Sequence, residues 1–156
     1  MDKREALGSW LSGPRAAAEQ MGADFGYRGE RLGLPQDGPG SIAPVGRRLA
    51  ALVIDWALCL LVSYGLLARG RAASDVSNWA FVVFGVLSVV TLATAASTPG
   101  KRLLGLRLVR LGGGRLGPVA VVLRTILLLL VIPAAMWDRD GRGLHDKAVH
   151  AVQVRI

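Results

Sequence analysis

RRLAALVIDWALCLL, residues 47–61, is apolar at nearly every position after its two arginines, yet Asp55 stands near its middle. Such a run either crosses a bilayer or fills the centre of a large core. The rest of the chain decides between them. Of 156 residues, 52 % are hydrophobic and 19 % charged, and the apolar ones gather in blocks 49–68, 79–96 and 119–137. The first two approach the roughly 20 residues that a helix needs to span the hydrocarbon. A chain this small cannot wrap several helices that are apolar all round. The pattern therefore predicts an all-α integral membrane protein, with helices at about 45–68, 78–97 and 118–137.

The first block begins too far along for a secretory signal and reads as a retained membrane anchor. Cys59 is the single cysteine, so an intramolecular disulfide is ruled out. One thiol does not make a structural zinc site either. The net charge of +8 invites a nucleic-acid reading, but its distribution points to a membrane. Segment 97–118 carries Lys101, Arg102, Arg107, Arg110 and Arg115 with no acid, whereas 69–78 has two arginines offset by Asp75. Basic loops stay cytoplasmic, which places the N-terminus and 97–118 inside. The same basic face suits anionic lipid headgroups.

Residues 1–44, rich in Gly, Pro and charge, read as a flexible cytoplasmic segment, with the membrane domain over 45–156. A short amphipathic stretch around Trp10 is the alternative to a plain tail there. GLRLVRLGGGRLGP (105–118) suggests a short β-hairpin, or two extended pieces, at the inner surface, and AVHAVQVRI (148–156) a third strand. The third block contains Arg124 and Pro133, so its uninterrupted part is short and it either spans or re-enters. Re-entry returns the C-terminal charges to the inner side; spanning puts them outside.

Arg48 and Asp55 are seven apart and share a helix face, about 10 Å apart along the axis. Cys59 extends that face. An ionisable group at such depth costs several kcal/mol unless paired or hydrated, and faces a bundle interior or a cavity. Arg124, at similar depth on the third segment, is the expected counter-ion; snorkelling to the headgroups is its alternative. Asp55 then either handles ions or protons, or holds helices together. Gly85, Ser88 and Thr91 recur at spacings of three and offer a small-residue face for close helix packing.

Other motifs fail on their own chemistry. STPGKRL lacks the earlier glycine and the following Ser/Thr of a phosphate loop. DRDGRGLHD lacks the later ligands of a calcium loop. His145 and His150 have no HExxH glutamate. Nothing points to an enzyme, a metal or a cofactor.

Taken together, the chain resembles the RDD family of bacterial membrane proteins over residues 41–156. Arg48 and Asp55 in RRLAALVIDW match the arginine and first aspartate of its first helix. TPGKRLLGLRLV (98–109) matches its central motif, with Thr98, Gly100, Lys101, Gly105 and Arg107 in place. Arg124 in VLRTILLL matches a later arginine, and LHDKAVHAVQV (144–154) its C-terminal motif, with His145 and with Asp146 as second aspartate. A threonine usual near the end is replaced by His150 or Ala151. The leader YRGERLGLPQDGPGSIA is similar to that of short actinobacterial members. The resemblance implies transport of an unidentified ligand or cation/proton exchange. Three hydrophobic segments are few for a pore, so transport calls for a homo-oligomer or a membrane partner. The competing expectation is a non-transporting scaffold or regulatory module that binds a partner or lipid through its basic face.

Overall fold

The computed structural model describes residues 22, 26–67, 69, 72–130, 138, 140 and 142–156. The stretch around Trp10 and the end of the third apolar block, 131–137, lie outside the described residues.

Helix α1 (Val45–Val62) starts directly after an extended Pro44. Its buried residues Ala51, Asp55 and Cys59 recur every fourth position. Ser63 continues that stripe where the helix loosens into a π-helical turn, Ser63–Leu67. There the Ser63 hydroxyl donates to the Cys59 carbonyl at 2.7 Å. Helix α2 (Ala73–Ala95) returns antiparallel and buries Ala80, Phe84, Ser88 and Leu92, also every fourth residue. Matching four-residue ridges let two helices interlock. Trp56 stands edge-on to Phe81 and Phe84 across this contact, with ring centroids 4.9 and 5.7 Å away. Helix α2 begins at Ala73 rather than near 78, because ASDVS is compatible with a first turn and places Asp75 at the positive end of the helix dipole.

With its π-helical continuation, α1 runs 23 residues, and α2 also runs 23. At about 1.5 Å per residue each reaches roughly 35 Å, enough to cross a bilayer core of about 30 Å. Their outward faces carry exposed Val53, Leu61, Phe81, Val82, Val86 and Val90. A continuous apolar surface of this kind suits lipid rather than water.

Ala96, left-handed at φ 53, stops α2. Its carbonyl accepts the Leu108 N–H at 2.8 Å, tying the helix end to the strand beyond. Between them lies α3 (Pro99–Leu103), followed by β1 (Leu106–Arg110), α4 (Pro118–Leu129), α5 (Leu144–Lys147) and β2 (Ala151–Arg155). Strand β1 pairs antiparallel with β2, Leu106 opposite Arg155 and Arg110 opposite Ala151. The expected hairpin within 105–118 does not form. Gly112, Gly113 and Gly114 all adopt positive φ and steer the chain toward Pro118, which opens α4 instead of a second strand. The C-terminal segment is a strand as expected, but as the partner of β1. Its other edge takes residues 40–43: Gly40 donates to Arg155 and Ala43 to Gln153, both at 2.9 Å. Part of the segment expected to be flexible is thus bound to the sheet.

One core cluster joins Leu92 of α2, Leu108 of β1, Val121 of α4, and Val149 and Ala151 near β2. Each large aliphatic side chain so buried contributes about 1.5–3 kcal/mol. A second unites Ala43, Ala51 and Leu106. Helix α4 has 12 residues, about 18 Å of helix. Its far end meets the middle of α2, where Leu129 lies 3.6 Å from the place a Cβ on Gly85 would occupy. Strands β1 and β2, before and after α4 in the chain, lie side by side.

Candidate functional site

The Asp55 carboxylate is 2 % exposed and faces α3. Thr98 donates its hydroxyl to Asp55 Oδ2. The Gly100 N–H donates to Asp55 Oδ1 at 2.7 Å. Helix α3 starts with Pro99, so its first turn has free N–H groups to offer, and Asp55 takes one of them. Gly100 is a requirement of geometry. A Cβ there would stand 2.3 Å from the Ala51 carbonyl oxygen and 3.1 Å from the Asp55 carboxylate. The two segments touch backbone to backbone, and only a glycine leaves room.

Arg124 is 1 % exposed, but it does not form the expected ion pair with Asp55. Its Nε donates to Asp146 Oδ1 at 2.6 Å. Asp55 is already bound by α3, whereas α5 packs on α4 and brings Asp146 up to Arg124. Asp146, also 1 % exposed, receives a second bond from Gln153 Nε2, 2.6 Å to Oδ2. His145 Nε2 lies 3.4 Å from Asp146 Oδ1. Burial alone would push the Asp146 carboxyl up; the charges of Arg124, His145 and Lys101, with the Gln153 bond, outweigh it and hold the carboxyl well below its usual range. Among the described residues, Arg124 Nη1 and Gln153 Oε1 are buried without a hydrogen-bond partner.

Lys101 reads from sequence as part of a basic surface loop. It is buried, 7 % exposed, while its neighbour Arg102 points outward. Its ammonium feels the charges of Arg124, Asp146, Asp55 and Arg48. So Arg48, Asp55, Lys101, Arg124 and Asp146 do come together, but in two linked groups, one on α3 and one on α5.

Of the remaining motif residues, Gly105 takes φ 64 at the turn from α3 into β1, and Arg107 is exposed on β1. Among Gly85, Ser88 and Thr91, only Ser88 is fully buried. Thr91 donates to Leu87 within its own helix at 2.6 Å, and Gly85 faces α4. Gln153 escapes sequence reasoning, although it leaves a signal: one amide between Val152 and Val154 in an otherwise apolar strand end.

The family model of the RDD family matches residues 42–150, from the strand-like segment before α1 to the turn before β2. The chain belongs to the RDD family. No curated protein and no solved structure matches it. RDD membership and the two long apolar helices together make this a membrane protein. In this RDD protein the three polar positions Arg48, Asp55 and Arg124 occupy different places. Asp55 holds the TPGK turn, Arg124 holds Asp146, and Arg48 lies half-buried in the electrostatic reach of Asp146 and Arg124.

Proposed function

We propose that this RDD protein is a multi-pass protein of the cell membrane, N-terminus inside, that moves a cation or proton as a homo-oligomer. The observation that carries the reading is the enclosure of Asp55, Lys101, Arg124 and Asp146 at one end of apolar helices. Buried ions cost several kcal/mol each before pairing, and hydrophobic replacements often stabilise as well or better. Charges kept at such a place in a membrane protein mark ion and proton routes. Two crossing helices and one short one do not line a closed route by themselves. Oligomers supply the missing wall, and cross-linking in native membranes that returned only monomers would sink this part.

In this arrangement α4 re-enters from the inner side. The exposed Arg102, Arg107, Arg110, Arg115 and Lys147 all sit on segments next to the sheet, and a basic surface favours the cytoplasmic side. Lys147→Cys, in a Cys59→Ser background, is expected to react with a membrane-impermeant thiol reagent only after permeabilisation. Position 147 is preferred over 150, because His150 has φ 52 and a substitution there strains the backbone. Labelling of intact cells would instead require α4 and its continuation to span.

Function is tested by flux. Proteoliposomes with an imposed pH or cation gradient are expected to show flux through the wild type, lowered at least tenfold by Asp55→Asn. An unchanged flux in Asp55→Asn removes the cluster from the route. No flux in the wild type removes transport altogether and leaves the exposed Arg102, Arg107 and Arg110 as a surface for anionic lipid or a partner.

A further inference from the structure

Helix α3 has two unlike sides. Gly100 and Lys101 are buried, whereas Arg102 is exposed and Leu103 is 74 % exposed. The buried side fixes the level of α3 on α1. Gly100 stands against the Ala51 carbonyl and donates to Asp55, six and ten residues beyond Val45, where α1 begins. At about 1.5 Å per residue those contacts lie roughly 9 and 15 Å along the helix. The 23-residue run that starts at Val45 is only a little longer than a bilayer core of about 30 Å. Exposed Leu49 and Val53 on α1 bracket the same level. The outward side of α3 therefore meets the edge of the hydrocarbon.

One exposed leucine is ordinary on a surface in water. Beside acyl chains its burial in lipid is favourable, and a neighbouring arginine keeps its stem in the same layer while its head reaches the phosphates. Among the described residues no ion pair or side-chain hydrogen bond engages Arg102. Segment 97–118 holds no acid to answer its charge. A guanidinium matches a phosphate with two parallel N–H groups. The complement to Arg102 is thus offered by the bilayer rather than by the protein.

We propose that Arg102 and Leu103 are the docking point of an anionic phospholipid of the inner leaflet, with Leu103 among its acyl chains and Arg102 on its phosphate. The choice of leaflet rests on the orientation in the proposed function; the binding does not rest on transport. The lipid also acts on Asp55. The same five-residue helix, with Thr98 just before it, holds the Asp55 carboxylate. A lipid held at Arg102 steadies that clasp from outside, two residues beyond the Gly100 N–H.

The test uses the full-length protein in nanodiscs of phosphatidylcholine, alone or with phosphatidylglycerol added. Amide hydrogen exchange across 98–103 reads the clasp. Phosphatidylglycerol is expected to slow that exchange about fivefold in the wild type, the effect of one basic residue at an anionic surface. Arg102→Gln should match the wild type in phosphatidylcholine alone, which shows that it folds, and should not respond to phosphatidylglycerol. Arg31→Gln removes the same charge from an exposed place in the leader and should respond like the wild type. An equal loss of response in Arg31→Gln would make this an effect of net charge and overturn the proposal. So would wild-type exchange that ignores phosphatidylglycerol, or that inorganic phosphate slows as much. Insertion is read separately, with a spin label on Leu103→Cys in the Cys59→Ser background. The label is expected to collide more with oxygen, which concentrates among acyl chains, than with a water-soluble nickel chelate. The reverse preference places α3 in water and also overturns the proposal. Flux enters none of these readouts, so a wild type without flux would end the transport reading and leave the lipid site standing.

Discussion

Gly100→Ala is expected to destabilise the protein by about 3 kcal/mol or more, since overpacking a tight contact costs about 1–3 kcal/mol and the broken bonds to Asp55 add more. The clash is with the Ala51 backbone oxygen, 2.3 Å from the new methyl, so no side-chain rotation relieves it. Helices α1 and α3 must separate, and the Asp55 carboxylate then loses the Gly100 N–H and the Thr98 hydroxyl together. Gly46→Ala is the matched control: nothing lies within 4 Å of a Cβ at Gly46, in the first turn of α1. That change should be neutral or slightly stabilising, as alanine is the better helix former. Thermal unfolding of the two variants in the same detergent measures the difference. Equal unfolding temperatures would show that the Asp55 clasp does not hold the bundle.

The clasp also separates what the chain makes legible from what it does not. The two spans are readable because an apolar run of about 20 residues matches the thickness of a bilayer core, and a chain this short cannot bury two such runs. The inward face of Asp55 is readable too, because a carboxylate among Ala, Val, Ile and Leu has nowhere else to go at low cost. Its partner is not. Thr98 and Gly100 act through a hydroxyl and a backbone N–H, and a backbone donor leaves no mark in the residue type. Lys101 misleads for a related reason. Placed between Gly100 and Arg102, it looks like one more charge in a basic loop, and only the direction of a single turn of α3 puts it inside. Strand pairing fails at the same level of detail. LRLVR and AVQVR both alternate, but the alternation of a strand does not name its neighbour. The packing of α5 on α4 brings Asp146 to Arg124, and β2 lies beside β1. Sequence alone leaves that packing open, which is why it pairs Arg124 with the wrong aspartate.

Asp146→Ala is the second change with a large expected effect, about 3–5 kcal/mol, the usual cost of leaving a buried charge without its partner. The Arg124 guanidinium would be left buried with its Nε bond gone, and Gln153 would lose its acceptor. Removing both charges, as Arg124→Met with Asp146→Leu, should cost less than Asp146→Ala alone, because the desolvated charge disappears with the bond. The double-mutant cycle reads that coupling directly. The pH dependence follows from the same contact. Because the folded Asp146 carboxyl is held below its usual range, its contribution is fully present above about pH 5. It is lost as the pH falls below about 4, where the unfolded chain takes up a proton that the folded one still refuses. Stability of the wild type should therefore fall steeply on the acid side, and Asp146→Ala should lack that part of the slope. An Asp146→Ala variant as stable as the wild type at pH 7, with the same acid slope, would mean that Arg124 is compensated elsewhere. The ion pair between α4 and α5 would then not be what closes the third segment onto the sheet.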